Sequence, residues 1–177
     1  MSKVYQRNVM VMQVLAAAAM LVAACTPVVP REQVRQEVGA AMLADLRARA
    51  DGAGHEVPVI IIWAEASTVD PESRGPDAVD HDRPIQVLLY EGDGWSQPED
   101  MRQAIEAYYA AYVNAAGSRR WDVRSFAVTR VSADGNEAQV MVNSMCGPLC
   151  GQGTLVTLRR NERGGWETVK EEGTWIS

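Results

Sequence analysis

The sequence predicts an α+β fold, an N-terminal helix and a second helix packed on an antiparallel sheet that ends in a four-stranded meander. Three observations carry this prediction. Apolar residues recur at spacings of three and four after Arg31. Ser96 followed three residues on by Glu99 is a capping signature for a second helix. Beyond Trp121, four apolar segments are separated by turn residues at regular intervals. Helices grouped ahead of hairpin-linked strands give α+β. At 177 residues, 47% hydrophobic and 23% charged, the chain has material for one folded domain and is neither collagen-like nor wholly disordered.

The first 24 residues carry Lys3 and Arg7 and no acid, and from Val9 to Ala24 the chain is uncharged and rich in Ala, Val, Met and Leu. A positive start, an apolar stretch and small residues before a cut make a secretory signal. Leu21-Val22-Ala23-Ala24-Cys25 closely resembles the lipobox of bacterial lipoproteins, and that resemblance implies cleavage before Cys25 and acylation of its sulfur. A competing reading is an uncleaved membrane helix, since Val9 to Val29 is 21 residues without a charge. Thr26 and Pro27 dilute its end, and both readings put the folded part outside the cytoplasm. Thr26 stands where enterobacterial lipoproteins carry a retaining Asp, so the resemblance implies an outer-membrane anchor facing the periplasm. Losing Lys3 and Arg7 takes the chain from −6 to −8, which disfavours adhesion to an anionic leaflet through the protein surface.

Residues 25–30 read as a tether and 31–177 as a single domain. Val34, Val38, Ala41, Met42 and Leu46 mark the first helix, which Gly52 and Gly54 end. Val57–Ala64 contains the contiguous run Val59-Ile60-Ile61-Ile62-Trp63 and reads as a buried strand. Residues 67–84 hold five acids, three prolines and almost no apolar residue, and are expected as a disordered acidic loop. Ile85–Tyr90 resumes as a strand and Gly92-Asp93-Gly94 closes it. The second helix starts from Ser96, with Pro98 in its first turn. It buries a stripe of Met101, Ile105, Tyr108 and Tyr112 and stops at Gly117. The meander strands are Val123–Val131, Ala138–Ser144, Thr154–Arg160 and Trp166–Trp175.

Cys146-Gly147-Pro148-Leu149-Cys150 falls between two of those strands. Outside the cytoplasm such a pair is expected as a disulfide that pins the turn and adds about 2 kcal/mol by chain entropy. The string also resembles the Cys-Gly-Pro-Cys of thioredoxin-like oxidoreductases with one residue inserted. In those proteins the cysteines open a helix that lowers the thiol pKa, whereas here a glycine-rich turn and a strand follow. A zinc site wants four ligands, and His55 and His81 lie in unrelated segments.

From Tyr108-Tyr109 and Tyr112, through Asp134-Gly135 and Ala138, Cys146-Gly147, Leu149-Cys150-Gly151 and Gly153, to Leu158, Gly165-Trp166 and Trp175-Ile176-Ser177, the last 70 or so residues are similar to a family of small, uncharacterised bacterial proteins. Many of its members have lipoprotein-type leaders. The resemblance implies a structural hairpin and supplies no activity.

Other candidates have plain structural readings beside them. Asp80-His81-Asp82 offers oxygen ligands to a divalent cation, but lacks calcium-loop spacing and is equally a solvated acidic segment. Glu99-Asp100 suits a helix N-terminus. The tyrosine stripe reads as core, as do Trp166 and Trp175 on the last strand, with a binding surface as the alternative. Arg119-Arg120 and Arg159-Arg160 are the basic doublets of an acidic chain, and no nucleic-acid partner is expected. There is no nucleophile elbow, phosphate loop or dinucleotide fingerprint, so no catalytic residue, metal or cofactor is assigned. The expectation is a non-catalytic envelope binding or structural accessory module. Its partners would be the membrane, through Cys25, and an unidentified envelope protein or small ligand. The alternative is a thiol-disulfide oxidoreductase or redox sensor using Cys146 and Cys150.

Overall fold

The computed structural model describes residues 29–52, 58–67, 78–90, 92, 94–114, 122–147 and 150–176, the side chains of 108–114, 146, 147 and 150 excepted. Helix α1 spans Arg31–Gly52 and buries Val34, Val38, Met42, Leu43, Leu46 and Ala50 along one stripe, as the three-and-four spacing requires. Its first backbone bond runs from the Val34 N–H to the Pro30 carbonyl at 3.1 Å. Glu32 lies in its first turn and Arg49 in its last, each with the sign that suits the helix dipole.

Strand β1 (Val59–Ala66) follows, then β2 (Val79–Tyr90) and the short β3 (Trp95–Ser96). Helix α2 (Met101–Asn114) comes next, and β4 (Asp122–Val131), β5 (Glu137–Gly147), β6 (Cys150–Arg160) and β7 (Trp166–Ile176) complete the order. The strands form one sheet in the order β3-β2-β1-β4-β5-β6-β7. Strands β4 to β7 pair antiparallel in sequence as the expected meander.

The expected antiparallel sheet needs correction, because the sheet is larger than its meander and is mixed. β1 runs parallel to β4, with Ile62 beside Ser125 and Trp63 beside Phe126. The cause is legible in β1, whose first six residues are all buried. A strand without a polar face belongs in the middle of a sheet with cover on both sides. A parallel neighbour also needs a long crossover, here supplied by β2, β3 and α2. Helix α1 packs Val38, Met42 and Leu46 with Ile61, Trp63, Phe126 and Val140 on one face. On the other face Met101 and Ile105 of α2 meet Ile60, Ile62, Val87, Val123 and Ala127.

The sheet curls around α1. Trp95 on edge strand β3 donates its indole N–H to Asp51 at 2.6 Å, while Arg49, two residues earlier, reaches Glu171 on the opposite edge strand β7 at 3.1 Å. Both edges therefore converge on the last turn of the helix, and α1 lies in a concave sheet.

Two local expectations are revised. Strand β2 begins at Val79, within the segment expected as acidic loop, and pairs Val79 with Ala66, Asp80 with Glu65 and Pro84 with Ala64. Pairing with a buried strand overrides the polar composition there. Ser96 is in β3 and does not cap α2. Asp100 does, its Oδ1 accepting the Gln103 N–H at 3.0 Å while its carbonyl accepts from Ala104. The turns at 132–136 and 161–165 are as expected, with Gly135 at φ 70° and Gly164 at φ 81°, where a side chain is disfavoured.

Candidate functional site

The alternation along β5 and β6 determines where α1 and the sheet meet tightly and where they part. Near the helix N-terminus the concave face carries Ala138, Val140, Val156 and Leu158, all buried. Toward the other end the same face carries Ser144, Gln152 and Thr154. These shorter or polar side chains do not fill the space under α1. The result is a cleft of about 680 Å³ between the C-terminal half of the helix and β4 to β7. Its apolar lining is Met42 and Leu46 from the helix with Val142 and Val156 from the sheet, and Met145, Gly151 and Ile176 line it as well. That volume is within the range of small-ligand sites, about 300–1,000 Å³.

Five charged side chains line it. On β4, Asp122 and Arg124 are two residues apart and so share a face, and their ion pair is 2.8 Å long with side-chain exposures of 22% and 16%. Arg124 also directs Nη1 at the Leu46 carbonyl, 3.4 Å away, joining the strand to the helix. On α1, Asp45 and Arg49 are one turn apart and lie 2.8 Å from each other. Arg49 continues to Glu171 at 3.1 Å. Burial works against the Arg49 charge, but the Glu171 and Asp45 carboxylates outweigh it and raise its pKa. An apolar lining beside paired ions suits recognition of an amphipathic molecule.

A smaller cavity of about 430 Å³ lies beside the first turns of α1, between Glu32, Arg35 and Gln36 and the β1 residues Trp63 to Ala66. Arg35 crosses it to donate to the Val128 carbonyl at 2.7 Å.

None of the site residues singled out from sequence is among the described lining of either cavity. Cys25, His55, Tyr109, Gly117 and Arg119-Arg120 lie outside the described residues or side chains, as do the side chains of Tyr108, Tyr112, Cys146 and Cys150. In the backbone, Cys150 faces Gly147 and Met145 faces Gly151, with Cys146 at the irregularity between those pairs. Strand β6 begins at Cys150, so this turn leads into a strand and not into a helix N-terminus. Asp80, His81 and Asp82 are on β2, where Asp80 Oδ1 accepts the Asp82 N–H and Arg83 bridges to Glu65 at 3.2 Å. Burial lowers the His81 pKa against the raising effect of both aspartates. No group of three His, Cys, Asp or Glu side chains converges to hold a metal ion among the described residues. Arg159 pairs with Glu137 at 3.2 Å, and Arg160 pairs with Glu37 while its guanidinium sits 4.8 Å above the Trp166 ring. Trp175 lies over Gly153.

None of the five cleft ions was singled out from sequence. Asp45/Arg49 and Asp122/Arg124 are visible as same-face pairs, but only the curl of the sheet brings them and Glu171 to one concavity. No protein-family model matches the chain, and neither the curated proteins nor the solved structures yield a match. Among the described residues no helix is long and apolar enough to cross a membrane.

Proposed function

We propose that this chain is a non-catalytic, lipid-anchored binding module of the cell envelope, held at the outer membrane through Cys25 and taking a small ligand in the cleft beneath α1. The cleft carries the binding part of this reading. It couples an apolar lining of Met42, Leu46, Val142 and Val156 to ion pairs at its walls. The anchor rests on Val22-Ala23-Ala24-Cys25 at the end of an uncharged leader. Two or more acyl chains give stable attachment without a membrane span. A Cys146–Cys150 disulfide would lock the hairpin that forms one end of the cleft, in keeping with the family that the C-terminal segment resembles. A strand after Cys150 favours that structural role over redox catalysis, which needs a lowered thiol pKa.

Two measurements test the proposal. Cells fed an alkyne-bearing palmitate should label the protein, and Cys25→Ser should remove the label. The purified chain should bind the neutral fluorophore N-phenyl-1-naphthylamine saturably, and Val142→Trp, which fills the cleft, should abolish binding while the fold is retained. Unchanged fluorophore binding in a folded Val142→Trp chain would overturn the cleft as the site.

A further inference from the structure

The charges of the cleft point to the class of ligand. Three carboxylates, Asp45, Asp122 and Glu171, face two guanidiniums, Arg49 and Arg124. Both cations are already engaged. Arg124 holds Asp122 through two nitrogens and the Leu46 carbonyl through the third, and Arg49 is held between Asp45 and Glu171. An incoming anion would have to displace a fixed carboxylate and would meet the net negative charge of the site.

Asp45 and Glu171 share one guanidinium between them. Asp45 Oδ2 lies 2.8 Å from Arg49 Nε, and 42% of the Asp45 side chain is exposed. Glu171 engages Arg49 through Oε1, and its second oxygen has no partner among the described residues. Asp45 and Glu171 thus already hold a cation between helix and edge strand, and the three groups together carry one surplus negative charge, with 42% and 44% of the two carboxylate side chains exposed. Methionines 42 and 145 add an adaptable apolar lining next to them.

We propose, resting on the cleft as a ligand site, that it takes a protonated amine carried on an apolar body. The ammonium sits against Asp45 and Glu171, beside or in place of the Arg49 guanidinium, and the body lies on Met42, Leu46, Val142 and Val156. One surplus negative charge a few ångströms from the head group, partly screened by water, is worth on the order of tenfold in affinity.

Octylammonium, octanol and octanoate share one chain and differ in head-group charge. Titrated at pH 7 against the fluorophore-loaded full chain, octylammonium should displace it about tenfold more tightly than octanoate, with octanol between them. The preference should weaken at high salt. Glu171→Gln and Asp45→Asn should each reduce the ratio of octylammonium to octanol affinity. That ratio is measured within one variant, so a general loss of binding cancels. Equal or tighter binding of octanoate, or an undiminished ratio in both variants, would overturn the amine assignment while leaving the cleft as a site. Failure of all three compounds to displace the fluorophore would instead remove the cleft reading itself.

Discussion

Gly39 of α1 lies so close to the indole of Trp63 on β1 that a Cβ at position 39 would overlap three of its ring carbons. Trp63 is 5% exposed and stacks on Phe126 of β4 with ring centroids 5.9 Å apart and planes 13° apart. The helix thus rests on an aromatic pair contributed by the two parallel strands at the centre of the sheet.

Gly39→Ala tests that contact with a clear sign. At an exposed helical position the change would stabilise by about 1 kcal/mol through helix propensity. Here the added methyl overpacks a buried ring, which costs about 1–3 kcal/mol, so the variant should unfold at lower urea than the parent. Trp63→Leu alone should also destabilise, since it leaves a cavity. The double variant should be more stable than the two losses added together. Urea unfolding of all four chains measures that coupling.

Much of this was legible because local signals and tertiary context agree. The stripe from Val34 to Leu46, the turns around Gly135 and Gly164 and the last four strands follow directly from spacing and turn chemistry. The parallel pair was hidden because register between strands sixty residues apart leaves no local mark. Yet the contiguous apolar run from Val59 to Trp63, all of it buried, already called for cover on both faces. The cleft was illegible for a related reason: Ser144 and Thr154 read as ordinary strand residues, and only the helix above them makes their size matter. The close approach of Gly39 to Trp63 likewise leaves no mark in the sequence.

The cap of α2 is Asp100, whose Oδ1 accepts the Gln103 N–H, and not the Ser96 that the sequence pattern with Glu99 predicts. Asp100→Ala should therefore cost about 1 kcal/mol, typical of a lost N-cap. Ser96→Ala, at an exposed position on the short β3, should stay within about 0.5 kcal/mol of the parent. Reversed magnitudes in chemical denaturation would restore Ser96 as the cap.

Ser125 sits at the centre of the sheet with 0% exposure, between Val123 and Ala127 on the face covered by α2. Its hydroxyl has no hydrogen-bond partner among the described residues. A buried, unpaired hydroxyl costs about 1–3 kcal/mol of desolvation. Ser125→Ala should accordingly be neutral or stabilising by up to about 1 kcal/mol, against the usual destabilising trend of core substitutions. A loss above 1 kcal/mol in thermal unfolding would show that the hydroxyl is bonded after all.

His81 gives the fold a pH dependence in a window where most carboxylates do not titrate. Burial on β2 lowers its pKa below 6.5, opposed but not reversed by Asp80 and Asp82. Above about pH 7.5, one unit over the unfolded value, the ring is neutral in both folded and unfolded chains, and its contribution to stability is complete. As pH falls below that value the unfolded chain takes up a proton that the folded chain resists, so stability drops until the lower folded pKa is passed. The slope from this one group is at most about 1.4 kcal/mol per pH unit. Glu37 has the same sign in a separate, more acid window, because its hydrogen bond from Arg160 holds its pKa below 4.5. Urea midpoints at pH 7.5, 6.5 and 5.5 should therefore fall for the parent and stay nearly level for His81→Gln. The two chains should lose stability in parallel only below about pH 4.5, where the Glu37 carboxylate begins to protonate in the unfolded state. A slope between pH 7.5 and 5.5 that survives the substitution would place the titrating group elsewhere.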